Sequence, residues 1–444
     1  MTGRRRRIAI SYLTTGFTKS AAAAVQLLAL PVVASTLGSE RFGALLVLAA
    51  IGSFFCMPAH GLPSSVSFGI ARARALGDER RLSAEIWSAG LLSGALGAVA
   101  VAVALAAFLF LDPTLLVGRG SAAFAAEARM GIAALALFVA ATYFFSWVEG
   151  LRSGFEEVHV TNLFTMAGSV AALAGIGLAW AFAPTIPAFL VATYAVYPLV
   201  QGLNLLLFAA RRRILLRRQR GIRHALGGTA RRAFGYSVAQ TGLILHLQGS
   251  VYIAAHAFGL GAGALIGGVV RLFYIVHNLL LSLLNPILPT LSFAATASDS
   301  LWIRRAVRRA AALILLALGL FAAGFALGGD RLVEAWLRLP VAADLPLFAA
   351  LAAMAFLYIA SQLFYLMLLA LGDGEWASRR LFWGGAVGTL AGLAALDAAG
   401  LVGLVAGQAL GMLVIAFVPI SLRLLRRASA GSSDAEAVAG AVED

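Results

Sequence analysis

Stretches of apolar sequence long enough to cross a bilayer recur about twelve times in this chain, and arginine gathers in every second gap between them. A spanning helix needs roughly 20 apolar residues, so 444 residues hold about a dozen spans joined by short connections. The expected spans are 8–37, 42–70, 84–111, 127–148, 159–183, 186–210, 232–258, 262–290, 306–328, 346–371, 379–398 and 400–422.

Composition excludes the soluble alternatives. The chain is 61% hydrophobic and only 12% charged, whereas about a quarter of a soluble domain is charged. Lipid is therefore its solvent. A net charge of +14 could suggest nucleic acid, but the arginines flank apolar segments instead of forming a basic face, so no nucleic-acid partner is expected. Cys56, the only cysteine, lies in an apolar stretch and permits neither an intramolecular disulfide nor a thiolate metal site. No metal site or cofactor motif is found: strings such as GLGAGALIGG (259–268) open a membrane helix with no strand before them.

The gaps sort by charge. Arg4–Arg7, Arg72–Arg81, Arg152, 211–232, Arg304–Arg309, Arg379–Arg380 and Arg423–Arg427 form the basic set. The other set comprises LGSER (37–41), 112–126, APTIP (183–187), 258–262, 329–345 and DAAG (397–400). The positive-inside rule makes the first set cytoplasmic and leaves both termini inside a multi-pass inner-membrane protein. The basic connection 211–231 separates an N-terminal lobe, 1–210, from a C-terminal lobe, 232–425, and 426–444 reads as a disordered tail. FGALL (42–46) against AGALI (262–266), and LPSSVSF (62–68) against LPTLSF (288–293), echo each other at equivalent places. The fold class expected is an all-α polytopic membrane protein with two six-helix lobes related by a pseudo-two-fold along the membrane normal.

Polar groups inside spans are costly, so they point to function. Span one holds the only lysine, Lys19, with Ser11, Thr15 and Gln26 at helical spacing. Span eight aligns Gly267, Arg271, Tyr274, Asn278, Ser282 and Asn285. Span seven contributes Ser237, Thr241, Gln248 and Tyr252, and span two Ser53, His60, Ser64 and Ser67. Lys19 and Arg271 are buried cations with no evident carboxylate at mid-depth; Glu85 and Glu149 read as lying near the cytoplasmic ends. The candidate binding residues are Thr15, Lys19, Gln26, His60, Gln248, Arg271, Tyr274 and Asn278, on a hydrated cavity that attracts anions. Packing is the competing explanation for each isolated hydroxyl. Paired prolines in span two (Pro58, Pro63) and span eight (Pro286, Pro289) read as hinges or kinks.

Four segments carry a resemblance: LGSERFG (37–43), GIARARALGDERRL (69–82), EGLRSGFEEVHVTNLF (149–164) and GALIGGVVRLFYIVHNLLLSLLNPILPTLS (263–292). Together, over residues 8–425, the chain resembles the polysaccharide flippases of the multidrug/oligosaccharidyl-lipid/polysaccharide exporter (MOP) superfamily. The resemblance implies a non-enzymatic, alternating-access flippase of an isoprenoid pyrophosphate-linked oligosaccharide, with Arg271 at the arginine of the family's span-eight pattern. It implies a monomeric transport unit, membrane lipid, and the pathway's glycosyltransferases and glycan polymerase as partners, and no cofactor. LQGSVY (247–252) replaces the acidic residue common in the family near the end of span seven. A drug/cation antiporter of the same superfamily is the alternative, and would need a membrane-embedded carboxylate. A membrane glycan polymerase or ligase would need a larger outer loop with catalytic groups than 112–126 or 329–345.

Overall fold

In hydrocarbon every backbone N–H and C=O must find its partner within the protein, and a helix meets that demand locally. The computed structural model describes residues 2–212, 222–285, 287–296 and 299–429, and among them only helices and connecting turns occur. The helices are α1 (Thr2–Phe55), α2 (Leu62–Ala75), α3 (Glu79–Phe110), α4 (Pro113–Val117), α5 (Ala125–Phe145), α6 (Trp147–Gly154), α7 (Val158–Phe182), α8 (Ile186–Leu190) and α9 (Val196–Arg211). They continue with α10 (Ile222–Phe258), α11 (Leu260–Leu284), α12 (Ile287–Thr296), α13 (Ser300–Leu337), α14 (Leu345–Ala370), α15 (Gly374–Gly411) and α16 (Val418–Ser429).

Among the described residues, nine helical stretches are long and apolar enough to cross a membrane. Two of them, Ala23–Phe55 and Gly374–Ala428, each run across a break between two expected spans. The first is interrupted at Gly38 (φ 74°) and the second at Ala399 and Gly400 (φ 59°). These breaks fall in LGSER and DAAG, where the charge pattern placed gaps. The expected seventh span, α10, is not among the nine, and its Ser237, Thr241, His246 and Gln248 lower its hydropathy. The fold is thus the expected all-α polytopic membrane architecture.

Aspartates begin several helices. Asp78 accepts from the Arg81 N–H at 2.9 Å, Asp299 from Trp302 at 3.0 Å and Asp344 from Leu347 at 3.0 Å. Each satisfies a donor that the first helical turn leaves unpaired.

Several boundaries differ from expectation. Span two is divided by a 3-10 turn, Met57–Gly61, that begins beside Pro58. Span eight ends at Leu284 and a separate helix begins at Ile287, with Pro286 outside the described residues. The seventh span starts at Ile222 instead of 232, so part of the basic connection is helical, and 213–221 lie outside the described residues. At the C-terminus α16 continues through Ser429, while 430–444 of the expected tail also lie outside them.

Two π turns occur, Val191–Ala195 ahead of α9 and Met412–Phe417 ahead of α16. Proline follows each closely, Pro198 and Pro419. A proline inside a helix donates no N–H and clashes with the preceding turn, and a widened turn accommodates it.

The chain forms two compact units: Met1–Leu272 with Ala335–Pro340, and Phe273–Glu334 with Val341–Asp444. The first unit places α10 against α1, α2 and α3. A buried network fastens that contact: Arg232 donates to Glu85 at 2.7 Å, and so does the Thr229 hydroxyl at 3.0 Å. In the second unit α14 packs along α15 and the Met412–Phe417 turn, with Phe417 against Phe356 and Phe364.

Candidate functional site

A polar cavity of about 670 Å³ lies within the first unit, where α2, α6, α7 and α9 approach one another. Its lining includes Ser64, Ser67, Glu149, Thr161, Thr165 and Tyr197. Among the described residues of that lining, Glu149 is the only carboxylate. Pockets of this size, mostly apolar with a few convergent polar groups, are the usual form of small-molecule sites.

The local sequence explains how these groups converge. Thr161 and Thr165 are four residues apart on α7, and the Thr165 hydroxyl donates to the Thr161 carbonyl at 3.0 Å. The π turn Val191–Ala195 resets the helical phase before α9, and Tyr197 emerges one turn later. Tyr197 donates its hydroxyl to the Glu149 carboxylate. That hydroxyl also lies 3.5 Å from Thr165 Oγ1.

The polar contacts continue away from the cavity. Gln201 Nε2 donates to the Tyr197 hydroxyl at 3.4 Å, and Asn204 Nδ2 donates to Gln201 Oε1 at 3.0 Å. Arg152 Nε donates to Asn204 Oδ1 at 2.9 Å, and its Nη1 to Glu157 at 2.6 Å. Tyr197, Gln201 and Asn204 step by four and three along one face of α9. Gln201, Asn204 and Arg152 are buried. Amide and guanidinium groups are poor proton carriers, so this chain of contacts positions Glu149 and does not deliver protons to it.

Arg271 belongs to the same unit. Its Nη2 donates to the Tyr194 hydroxyl at 2.6 Å, and the guanidinium carbon lies 5.1 Å from the centre of the Tyr194 ring. Tyr194 comes from the π turn. The one irregular segment of the sixth span therefore orients both the partner of the intramembrane cation and, three residues on, the partner of the acid.

The remaining candidates divide. The side chains of Thr15, Lys19 and Gln26 lie outside the described residues. His60 does not continue the helical stripe of Ser53, Ser64 and Ser67, because the 3-10 turn carries it to an exposed position. Ser64 and Ser67 reach the cavity, whereas Ser53 donates to the Ala49 carbonyl one turn earlier. Gln248 is buried in the first unit and is not in the cavity lining. Tyr274 and Asn278 belong to the second unit, where Asn278 donates to the Tyr274 carbonyl at 2.8 Å and Tyr274 meets Tyr358 edge-on. In the seventh span Ser237 and Thr241 donate back to Ala233 and Ser237, contacts that serve helix packing.

Sequence reasoning passed over Glu149, read as an acid near a helix end. Two spacings mark its surroundings, Thr161–Thr165 and Tyr197–Gln201–Asn204. Neither says that α7 and α9 face the acid across the interior.

Solved structures share the fold over nearly the whole chain. An inward-facing multidrug resistance MATE-family transporter of the MOP superfamily aligns with a TM-score of 0.76 at 18% identity, covering 93% of this chain and 96% of its own. A MOP-superfamily transporter from Pyrococcus furiosus, described as having a binding pocket of reversed polarity, aligns with a TM-score of 0.63 at 15% identity, covering 94% and 96%. The Vibrio cholerae MATE transporter VcmN aligns with a TM-score of 0.61 at 17% identity, covering 96% and 97%. No protein-family model and no curated protein matches the chain. At these identities the likeness establishes the fold. These solved neighbours are MATE and other MOP-superfamily transporters, and none is described as a polysaccharide flippase.

Proposed function

We propose that this chain is an alternating-access exporter of the inner membrane that carries an isoprenoid pyrophosphate-linked oligosaccharide, by rocking of lobes 1–210 and 232–425 with both termini in the cytoplasm. The observation that carries this reading is the cavity lined by hydroxyl and amide groups, Ser64, Ser67, Ser153, Thr161, Asn162 and Thr165 among them. Such groups replace the water that sugar hydroxyls lose on entering a membrane. The four motif segments and the intramembrane guanidinium of Arg271 support an anionic, glycan-bearing cargo. An isoprenoid tail can stay in lipid, so only the head group needs a polar route, and no covalent step is required. The pathway's glycosyltransferases and polymerase are the partners this reading expects, around a monomeric transport unit.

A drug/cation antiporter of the same superfamily is the second reading, and a specific observation favours it. Glu149 supplies a carboxylate of the kind such an exchanger needs, and it lines the cavity. The solved neighbours described as multidrug transporters also speak for this reading more directly than for the first.

A deletion strain complemented with wild type, Arg271→Gln or Glu149→Gln separates the two. The flippase reading expects lipid-linked glycan to accumulate facing the cytoplasm in the deletion strain and with Arg271→Gln, while folded protein is retained. The antiporter reading expects efflux of a cationic dye from vesicles driven by an imposed pH gradient, lost with Glu149→Gln. Normal glycan export in the deletion strain would count against the flippase.

A further inference from the structure

Where α6 and α9 end and α7 begins, at the side the arginine pattern assigns to the cytoplasm, a recess of about 650 Å³ is lined by Arg152, Glu157, His159, Phe208, Arg211 and Arg212. We propose that it binds a phosphate-bearing anion, presented by the head group of an anionic membrane lipid. The inference is independent of which cargo the protein exports.

Charge is the first argument. Three guanidiniums against the single carboxylate of Glu157 leave the lining with a surplus of two positive charges. Arg152 is committed to Asn204 and Glu157, and Arg212 donates to Glu157 with one of its nitrogens. Arg211 is exposed and has no ion pair among the described residues.

Geometry is the second. The Arg212 guanidinium lies 4.3 Å from the centre of the Phe155 ring and 5.2 Å from that of Phe208, while Arg152 lies 4.8 Å from Phe208. Cation–π contact with the phenylalanine rings fixes these guanidiniums at the recess, and their N–H groups suit a phosphate. His159 adds a buried Nδ1 with no hydrogen-bond partner. A buried polar nitrogen is costly to leave unpaired, and an anion's oxygen could accept a hydrogen bond from it.

The surroundings select the source of the phosphate. On α9, Leu203, Leu206 and Leu207 are exposed side chains in the turns just before Arg211 and Arg212. Acyl chains beside those leucines would bring a head group to the level of the arginines.

The full chain, purified in a non-ionic detergent, is tested by native mass spectrometry with phosphatidylglycerol, phosphatidylcholine and inorganic pyrophosphate. Wild type is expected to retain phosphatidylglycerol over phosphatidylcholine, and Arg211→Gln combined with His159→Gln to weaken that binding by about tenfold. Arg379→Gln, which alters an exposed pair with Glu375, is expected to bind as wild type does. Pyrophosphate binding without phosphatidylglycerol binding would keep the phosphate chemistry and overturn the lipid source. Equal binding by wild type and the double variant, or no preference for either phosphate anion, overturns the proposal. Should the double variant misfold, Arg211→Gln alone, at an exposed position, decides by the same comparison.

Discussion

Arg427 grips Asp373 with two donors, Nε at 2.6 Å and Nη2 at 2.8 Å. Arg423 reaches the same carboxylate through Nε at 2.9 Å. The other unit contains a counterpart: Glu157 takes Arg152 at 2.6 Å and also pairs with Arg212. In both cases the acid sits in the turn after the fourth span of its half, and an arginine comes from the end of the sixth. The clasp ties a helix end at the water interface, where hydrocarbon no longer enforces helical structure.

The two clasps differ in burial, and that decides their relative cost. Arg152 has a side chain only 6% exposed, whereas Arg423 and Arg427 are 41% and 24% exposed. Removing the acid leaves Arg152 charged in the interior, a loss of about 3–5 kcal/mol. The more solvated pair loses about 1 kcal/mol. Glu157→Gln should therefore lower the melting temperature in detergent clearly more than Asp373→Asn, and the reverse order would show that solvent exposure does not govern these pairs.

Acid should loosen both clasps. Partial burial pushes the Asp373 carboxyl up, but the hydrogen bonds and charges of Arg427 and Arg423 outweigh it and hold the group below its usual 3.8. Glu157 is likewise held below 4.5 by Arg152 and Arg212 against the effect of burial. A carboxyl depressed in the folded state stabilises above its unfolded value and loses that contribution as pH falls through the folded one. Thermal stability should fall as pH drops below about 4.5, and less steeply in Glu157→Gln with Asp373→Asn; parallel curves from pH 7 to 3 would refute this.

Two glycines should tolerate substitution differently. At Gly38, φ is 74° and a Cβ would meet no atom within 4 Å, so Gly38→Ala carries only backbone strain of about 1–2 kcal/mol. At Gly411 a Cβ would lie 2.3 Å from the Cα of Gly388. Backbone cannot step aside as a side chain can, so Gly411→Ala should push apart the two parts of α15 that meet on either side of the break at Ala399 and Gly400. Folded yield by fluorescence size-exclusion chromatography should drop mildly for the first and severely for the second.

Tyr197→Phe should leave the fold intact while changing the acid. It removes the hydroxyl that donates to Glu149 and accepts from Gln201. Under the antiporter reading, Tyr197→Phe should slow dye efflux because the carboxylate loses the hydroxyl that orients it, while Glu149→Gln abolishes efflux. Wild-type efflux from Tyr197→Phe would separate that contact from the transport cycle.

Much of the architecture was legible because the bilayer imposes local rules. The gap at LGSER is the break at Gly38, and that at DAAG is the break at Gly400. Arg232 was less legible: it reads as one more arginine of a basic connection, yet it is bound to Glu85, 147 residues away. His60 was displaced from its expected stripe for a different reason. A stripe drawn at helical spacing assumes unbroken helix, and the turn at Met57–Gly61 shifts the phase.

The sequence alone determined that this is a polytopic helical membrane protein, where its spans run and where it collects charge. Each of those properties rests on the transfer of a side chain between water and lipid, which depends on residue type and local order. Only the tertiary structure decided that Glu149 meets Tyr197, that Arg271 lies on Tyr194, and that the arginines of α6 and α9 share Glu157. Those pairings depend on which helix faces which and on a π turn that resets one of them. A hydrophobic run crosses the membrane equally well in any rotation about its own axis, so contacts between helices, and not hydropathy, select the face that becomes the site.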